Sequence, residues 1–147
     1  MPRQVSVIGS GAEWETAAEE VGRLLAEREC VVVTGGLGEV MAAAHRGAKK
    51  AGGQTIAILP GERHDAAHEW ADHVVVTGLG HARNFAVAAS GHAVIAVGGS
   101  WGTLAEIAFA KALGRPVVAL SGGLTVEGVE VVATPAEAVE HALGATR

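Results

Sequence analysis

The sequence has no tyrosine, two phenylalanines and three tryptophans, so aromatic residues make up only 3% of its 147 positions. A core with so few large rings must close through Ala, Val, Leu and Ile, and Trp14, Trp70 and Trp101 are the few platforms on which a planar ligand could stack. Cysteine is almost absent too. Cys30 stands alone, which excludes an internal disulfide, and beside Val31-Val32-Val33 it reads as a buried, inert thiol suited to a reducing cytoplasm. Positive charge is not in excess: the formal net charge is −5 and the only adjacent basic pair is Lys49-Lys50, so the footprint expected of a nucleic-acid binder is missing. No apolar run approaches the roughly 20 residues needed to cross a bilayer. Met1 to Gln4 pass directly into a strand-like segment without a leader pattern. The expectation is one domain, residues 1–147, in the cytoplasm, with neither membrane nor nucleic acid as partner.

What the sequence does contain is an alternation of short apolar runs and helix-forming segments. Gln4 to Ile8, Cys30 to Val33, Gln54 to Leu59, His73 to Thr77, Val94 to Val97, Val117 to Leu120 and Val129 to Val132 read as strands. Between them, Glu13 to Glu29, Glu39 to Ala51, His81 to Ser90, Leu104 to Leu113 and a segment opened by Thr134-Pro135-Ala136-Glu137 read as helices, the last with an N-cap Thr and Pro at the first helical position. Strands apolar at nearly every residue imply a sheet covered on both faces. The expected fold is α/β, a Rossmann-like three-layer sandwich with a mostly parallel sheet of about six or seven strands and helices on both faces. Only Glu62 to Asp72 is polar, His-rich and irregular.

In such a sheet the turns after the strands lie along one edge, where ligands bind. Four of them are glycine-rich: Gly9-Ser10-Gly11, Gly35-Gly36-Leu37-Gly38, Gly78-Leu79-Gly80 and Gly98-Gly99-Ser100-Trp101-Gly102-Thr103. Glycines let the backbone approach a ligand, and the helix start offers unpaired N–H groups with a partial positive charge, so the guest that fits is a phosphate. The dinucleotide fingerprint is not met, because Gly9-Ser10-Gly11-Ala12-Glu13-Trp14 lacks the third glycine and Thr34, not an acid, closes the second strand. No G-K-[ST] loop occurs either. NAD or FAD redox chemistry and Walker-type ATP hydrolysis are set aside.

The segment Gly99-Ser100-Trp101-Gly102-Thr103-Leu104-Ala105-Glu106 resembles the P-G-G-x-G-T-x-x-E motif of the Lonely Guy (LOG) family and its relatives in the SLOG superfamily. Gly35-Gly36-Leu37-Gly38-Glu39-Val40-Met41 is similar to a second family segment, and Arg83-Asn84 falls where the family has Arg-Lys. In its shortness the chain is most similar to the small bacterial branch grouped with molybdenum-cofactor carrier proteins. The resemblance implies a homodimer or dimer of dimers holding a small phosphorylated ligand, such as an AMP-like nucleotide or phosphate, with no cofactor or metal required. Active relatives hydrolyse the N-glycosidic bond of a nucleoside 5′-monophosphate to the free base and ribose 5-phosphate. By this resemblance Arg83 and Glu106 would be the catalytic pair and Gly99, Ser100, Gly102 and Thr103 would hold the phosphate; the converging glycine turns add Gly9, Ser10, Gly35, Gly36 and Gly98, with Trp101, as expected nucleotide contacts. Carboxylate and guanidinium suit that reaction, since the breaking bond builds positive charge on the ribose and a bidentate cation keeps an oxygen in register. The alternative, also within the resemblance, is a carrier or sensor that binds molybdenum cofactor or a signalling nucleotide without cutting it. A pyridoxal decarboxylase is disfavoured, as Lys49, Lys50 and Lys111 lie in no glycine turn.

Several residues carry two readings. Thr103-Leu104-Ala105-Glu106 is also a capping box, in which Glu106 would merely bond to the backbone of Thr103. His64, His68 and His73 with Asp65, Glu69 and Asp72 have metal-ligand chemistry but no fixed motif, so a solvated polar loop is expected there. Trp14 sits where it would cover a base, Trp101 where it would either wall the pocket or merely shield the turn, and His81 where it would touch a substrate; His45, His92 and His141 read as ordinary helix or loop positions.

Overall fold

A computed structural model describes residues 1–145. Its strands are β1 (Gln4–Ser10), β2 (Val31–Thr34), β3 (Thr55–Leu59), β4 (His73–Val76), β5 (Ala93–Gly98), β6 (Val117–Leu120) and β7 (Glu130–Val132). Every pairing is parallel, in the order β4-β3-β2-β1-β5-β6-β7. The helices are α1 (Glu15–Glu27), α2 (Glu39–Lys50), α3 (Arg83–Ser90), α4 (Trp101–Ala112) and α5 (Pro135–Gly144). This is the α/β Rossmann-like sandwich expected from the alternating pattern.

Alternation along each strand feeds two cores. Val5 and Val7 with Ala93, Ile95 and Val97 face α1, α2 and α5, while Ile8, Val94 and Ala96 face α3 and α4. The layers pack closely because small residues stand at the contacts. Gly22 of α1 lies against the Ala44 carbonyl and Gly47 of α2 against the Glu19 carbonyl, so a Cβ at either position would overlap backbone. That closeness is how a chain with 3% aromatics fills its interior.

Several boundaries differ from the sequence reading, each for a local reason. The helix expected from Glu13 begins with a 3-10 turn, Ala12–Trp14, and stops at Glu27, because Glu29 takes φ 60 to turn into β2. The helix expected from His81 likewise opens with a 3-10 turn, Gly80–Ala82, so that α3 proper begins at Arg83. α4 begins at Trp101 instead of Leu104, with Ser100 as the extended N-cap and its N–H donating to Thr103 Oγ1 at 3.3 Å. The Thr103–Glu106 capping box is thereby overturned: Thr103 is the third helical residue, and Glu106 lies one turn further in, too far along to reach the cap. α5 starts as its sequence indicates, the Thr134 hydroxyl accepting from the Glu137 N–H at 3.2 Å.

In the His-rich connection the polar side chains do not converge: no group of three or more His, Cys, Asp or Glu placed to hold a metal ion occurs among the described residues. Asp72 pairs with Lys49 and accepts from the Thr55 N–H, while Arg63 pairs with Asp65. His68 instead turns inward onto His45, the rings edge-on with centroids 4.9 Å apart. His45, read as an ordinary helix position, is fully buried in α2. Its Nε2 donates to the Val32 carbonyl at 3.1 Å, which leaves Nδ1 a bare lone pair. His68 Nδ1 accepts from the Trp70 N–H at 3.2 Å, so its Nε2 carries the proton; neither remaining ring nitrogen has a hydrogen-bond partner. Cys30 is the buried thiol expected, its ionisation suppressed by burial.

Burial, reinforced by His68 and only partly offset by the Val32 carbonyl and Asp72, pulls the His45 pKa down to about 3, and burial lowers that of His68 as well. Below the ordinary histidine range of about 6.5 the unfolded chain therefore binds more protons than the folded one, and folding stability falls as pH falls. Urea unfolding at pH 7, 6, 5 and 4 is expected to lose up to about 1.4 kcal/mol per pH unit for His45 below roughly 6.5. His45→Gln keeps a donor for Val32 but cannot titrate, so it should reduce that slope; an unchanged slope would reject the assignment.

Candidate active or ligand-binding site

β1 lies between β2 and β5, so the chain runs outward to β4 on one side and then crosses through α3 to β5 on the other. At this reversal the turns leaving β1 and β5 diverge to opposite faces and open a crevice at the carboxyl edge. A cleft of about 480 Å³ occupies it, lined by Gly9, Ser10, Leu37, Met41, Pro60, Gly80, His81, Arg83, Asn84, Ser100, Gly102, Thr103 and Glu106. All four glycine-rich turns of the sequence contribute to its wall or its support.

The floor is made by two helix starts. α4 points its N-terminus at the cleft, and its first-turn N–H groups and dipole favour an anion there. The turn before it needs two glycines: Gly98 has φ 64 and Gly99 φ 135, and a Cβ at Gly99 would stand 2.6 Å from the Thr103 side chain. Arg83 opens α3 and is only 9% exposed. Its Nη1 donates to the Gly35 carbonyl and, at 2.8 Å, to the Ile58 carbonyl, while Nε donates to Asn84 Oδ1 at 3.2 Å. Gly35 has no room for a side chain, since a Cβ would sit 2.5 Å from Arg83 Nη1.

Glu106, 4% exposed, faces the cleft from the second turn of α4. It makes no hydrogen bond and no ion pair within 4 Å among the described residues. Burial pushes its carboxyl up to about 7, and the Arg83 guanidinium pulls only partly against that. The carboxyl is therefore poised between its neutral and charged forms near neutral pH, the range in which a carboxyl can give or take a proton.

Of the residues singled out in the sequence, Gly9, Ser10, Ser100, Gly102, Thr103, Arg83 and Glu106 come together on the cleft. Gly35 supports it from behind through Arg83, and Gly36 packs against Ala57 and Leu59. Gly98 is buried and Gly99 half-buried in the turn, and Trp101 is 85% exposed outside the cleft lining. Trp14 does not cover the cleft. It packs behind the Gly98 turn, because the 3-10 turn after β1 directs its ring to the α1 side of the sheet. His81 lines the cleft, joined by Leu37 and Pro60, whose type and spacing carry no chemical signal. A larger depression of about 690 Å³ runs along α1, but Glu19, Glu20, Arg23 and Lys50 there are engaged in ion pairs.

Comparison with known proteins adds an independent line. A protein of Archaeoglobus fulgidus described only as uncharacterized is 42% identical, over 97% of this chain and 96% of its own. The molybdenum cofactor binding protein from Rippkaea orientalis superposes with a TM-score of 0.92 at 31% identity, covering 100% of this chain and 99% of its own. The molybdenum cofactor carrier protein of Chlamydomonas reinhardtii superposes at 0.88 with 33% identity, covering 99% and 98%. The model of the SLOG cluster4 family matches residues 2–144. The glycine turns, the Arg83–Glu106 floor and this match agree, and the chain belongs to the SLOG cluster4 family.

Proposed function

We propose that this protein, acting as one domain in the cytoplasm, binds a small phosphorylated ligand in the cleft at the start of α4 and holds it intact. Molybdenum cofactor is the first candidate, because two structurally similar proteins are named for it. The observation that carries the reading is the state of Arg83: its Nη1 and Nε hydrogens go to Gly35, Ile58 and Asn84, and it makes no ion pair with Glu106. A hydrolytic pair would use Arg83 to orient Glu106 or the ribose, whereas this arrangement makes it a fixed cation beside a phosphate seat. The backbone around Gly99, Ser100, Gly102 and Thr103 suits the phosphate, with Gly9 and Ser10 opposite. No metal-ligand cluster occurs among the described residues, so the phosphate end of such a cargo is the part these residues fit. Nucleic acid is not proposed as a partner, given the net charge of −5, and no helix among the described residues is long and apolar enough to cross a membrane.

One observation favours the second reading, a nucleoside 5′-monophosphate phosphoribohydrolase: Glu106 is unpartnered, faces the cleft and titrates near 7. Two measurements separate the readings. Protein purified from a host that makes molybdenum cofactor is expected to release an intact phosphorylated pterin, identified by mass spectrometry, and to liberate no base from AMP or related monophosphates. Base release that Glu106→Gln abolishes would reverse the conclusion. For a carrier, the ionised form of Glu106 repels an anionic ligand, so binding takes up a proton and weakens as pH rises through about 7. Glu106→Gln should flatten that dependence in titration calorimetry and bind at least as tightly at pH 8.

We also propose that a second copy of the chain covers the α3–α4 face. Phe85 and Phe109 stack edge-on there with centroids 5.3 Å apart yet are 46% and 36% exposed, and Leu113 and Trp101 extend the apolar strip along α4. Sedimentation is expected to give a dimer or a dimer of dimers, and Phe109→Glu a lower mass; a monomeric parent protein would reject this face as an interface.

A further inference from the structure

The cleft holds one polar side chain whose two ends do different things, and chemistry fixes which end is which. Arg83 Nε lies 3.2 Å from the Asn84 amide. A guanidinium only donates, so the group facing it must be the oxygen Oδ1, and the amide nitrogen Nδ2 must point the other way. There it stands on the side of the α4 N-terminus, where a Cβ at Gly102 would be 3.7 Å from it. Nδ2 has no hydrogen-bond partner among the described residues, and Asn84 lines the cleft. Arg83 Nη2 likewise donates to no described group, its neighbours Nη1 and Nε being used up.

We infer that Asn84 determines how an anion is seated in the cleft, fixing the Arg83 guanidinium through Oδ1 and donating to the ligand's phosphate from Nδ2. The inference rests on the reading of the cleft as a phosphate site and adds to it the residue that completes the donor set. On this arrangement the anion meets three kinds of donor. They are the first-turn N–H groups of α4, the free Nη2 edge of Arg83 and the neutral Nδ2 of Asn84. Buried, unpartnered Glu106 stands beside them and tunes the charge. A single fixed cation and a neutral amide favour a phosphate monoester over a polyphosphate chain, whose extra charge would find no second Lys or Arg in the lining.

Asn84→Asp separates the two functions. It keeps an oxygen for Arg83 Nε, now as an ion pair, but replaces the donor facing the ligand with a repelling carboxylate. Asn84→Ala removes both ends. Calorimetric titration at pH 7 and fixed ionic strength, with inorganic phosphate, 5′-AMP and ATP as probes, is expected to show the parent binding phosphate and AMP in preference to ATP. Asn84→Asp should lose about tenfold or more in affinity, the scale of one hydrogen bond to a charged group, with an unchanged melting temperature in the absence of ligand. In ¹H–¹⁵N spectra the Arg83 Nε–H signal should persist as a protected resonance in Asn84→Asp and shift or broaden in Asn84→Ala. Parent-like phosphate affinity in Asn84→Asp, an Arg83 signal indifferent to Asn84→Ala, or a parent preference for ATP overturns the inference while leaving the phosphate site standing. A parent that binds neither phosphate nor AMP overturns both.

Discussion

An arginine that is only 9% exposed must have most of its donors met, and the way Arg83 meets those on Nη1 and Nε fixes the elements around the cleft. Two of its hydrogens go to the carbonyls of Gly35, after β2, and Ile58, within β3. Those carbonyls are at hand because β2 and β3 are adjacent parallel strands whose carboxyl ends face α3 across the sheet edge. The guanidinium thus ties three separate chain segments together and presents what remains of it to the cleft. Removing the side chain would leave buried carbonyls unpaired, a cost of about 1–3 kcal/mol for each group. A structural duty and a place on the cleft lining coincide in one residue, and its bonds also explain why glycine stands at position 35.

The register of α4 supplies the second constraint. Had the helix begun at Leu104, Glu106 would have been consumed by capping and the cleft would have lost its only unpartnered carboxyl. Because Ser100 caps the helix and Thr103 takes the third position, Glu106 falls on the inward stripe with Thr103, Ile107 and Ala110. A carboxyl on that stripe, one turn inside the helix, is desolvated without a hydrogen-bond partner, and this raises its pKa.

Much of this was legible in the chain. Period and composition gave the seven strands, the five helices and their parallel, two-sided packing, since continuous Val and Ile runs separated by amphipathic segments leave few other arrangements. The glycine turns marked the edge where the cleft lies, and the resemblance to the Lonely Guy family pointed to Arg83, Ser100, Thr103 and Glu106, all of which line it. Other features depend on tertiary contacts. Trp14 and Trp101 have the chemistry of a pocket wall, but only the 3-10 turn after β1 and the solvent-exposed placement of the Trp101 side chain decide that neither ring lines the cleft. The inward turn of His68 onto His45 is fixed by backbone partners at Val32 and Trp70 that no local spacing reveals. Asn84 is a different case, an ordinary polar residue until the donor-only nature of its neighbour orients it.

The glycine contacts between α1 and α2 bear on how the molecule moves. With Gly22 and Gly47 each seated against a carbonyl of the opposite helix, sliding one helix along the other would drive a carbonyl into the neighbouring Cα, so these two helices and the β1–β2 half of the sheet beneath them form a single stiff body. The α3 side has no such interlock: Arg83 and Asn84 enter the cleft from a helix of eight residues preceded by a 3-10 turn, and α4 meets it through Phe85 and Phe109 at a partly exposed contact. Packing in this fold is therefore distributed unevenly: the Gly9–Ser10 wall of the cleft sits on the interlocked half, and Arg83 and Asn84 on the half whose helices meet at a partly exposed aromatic contact.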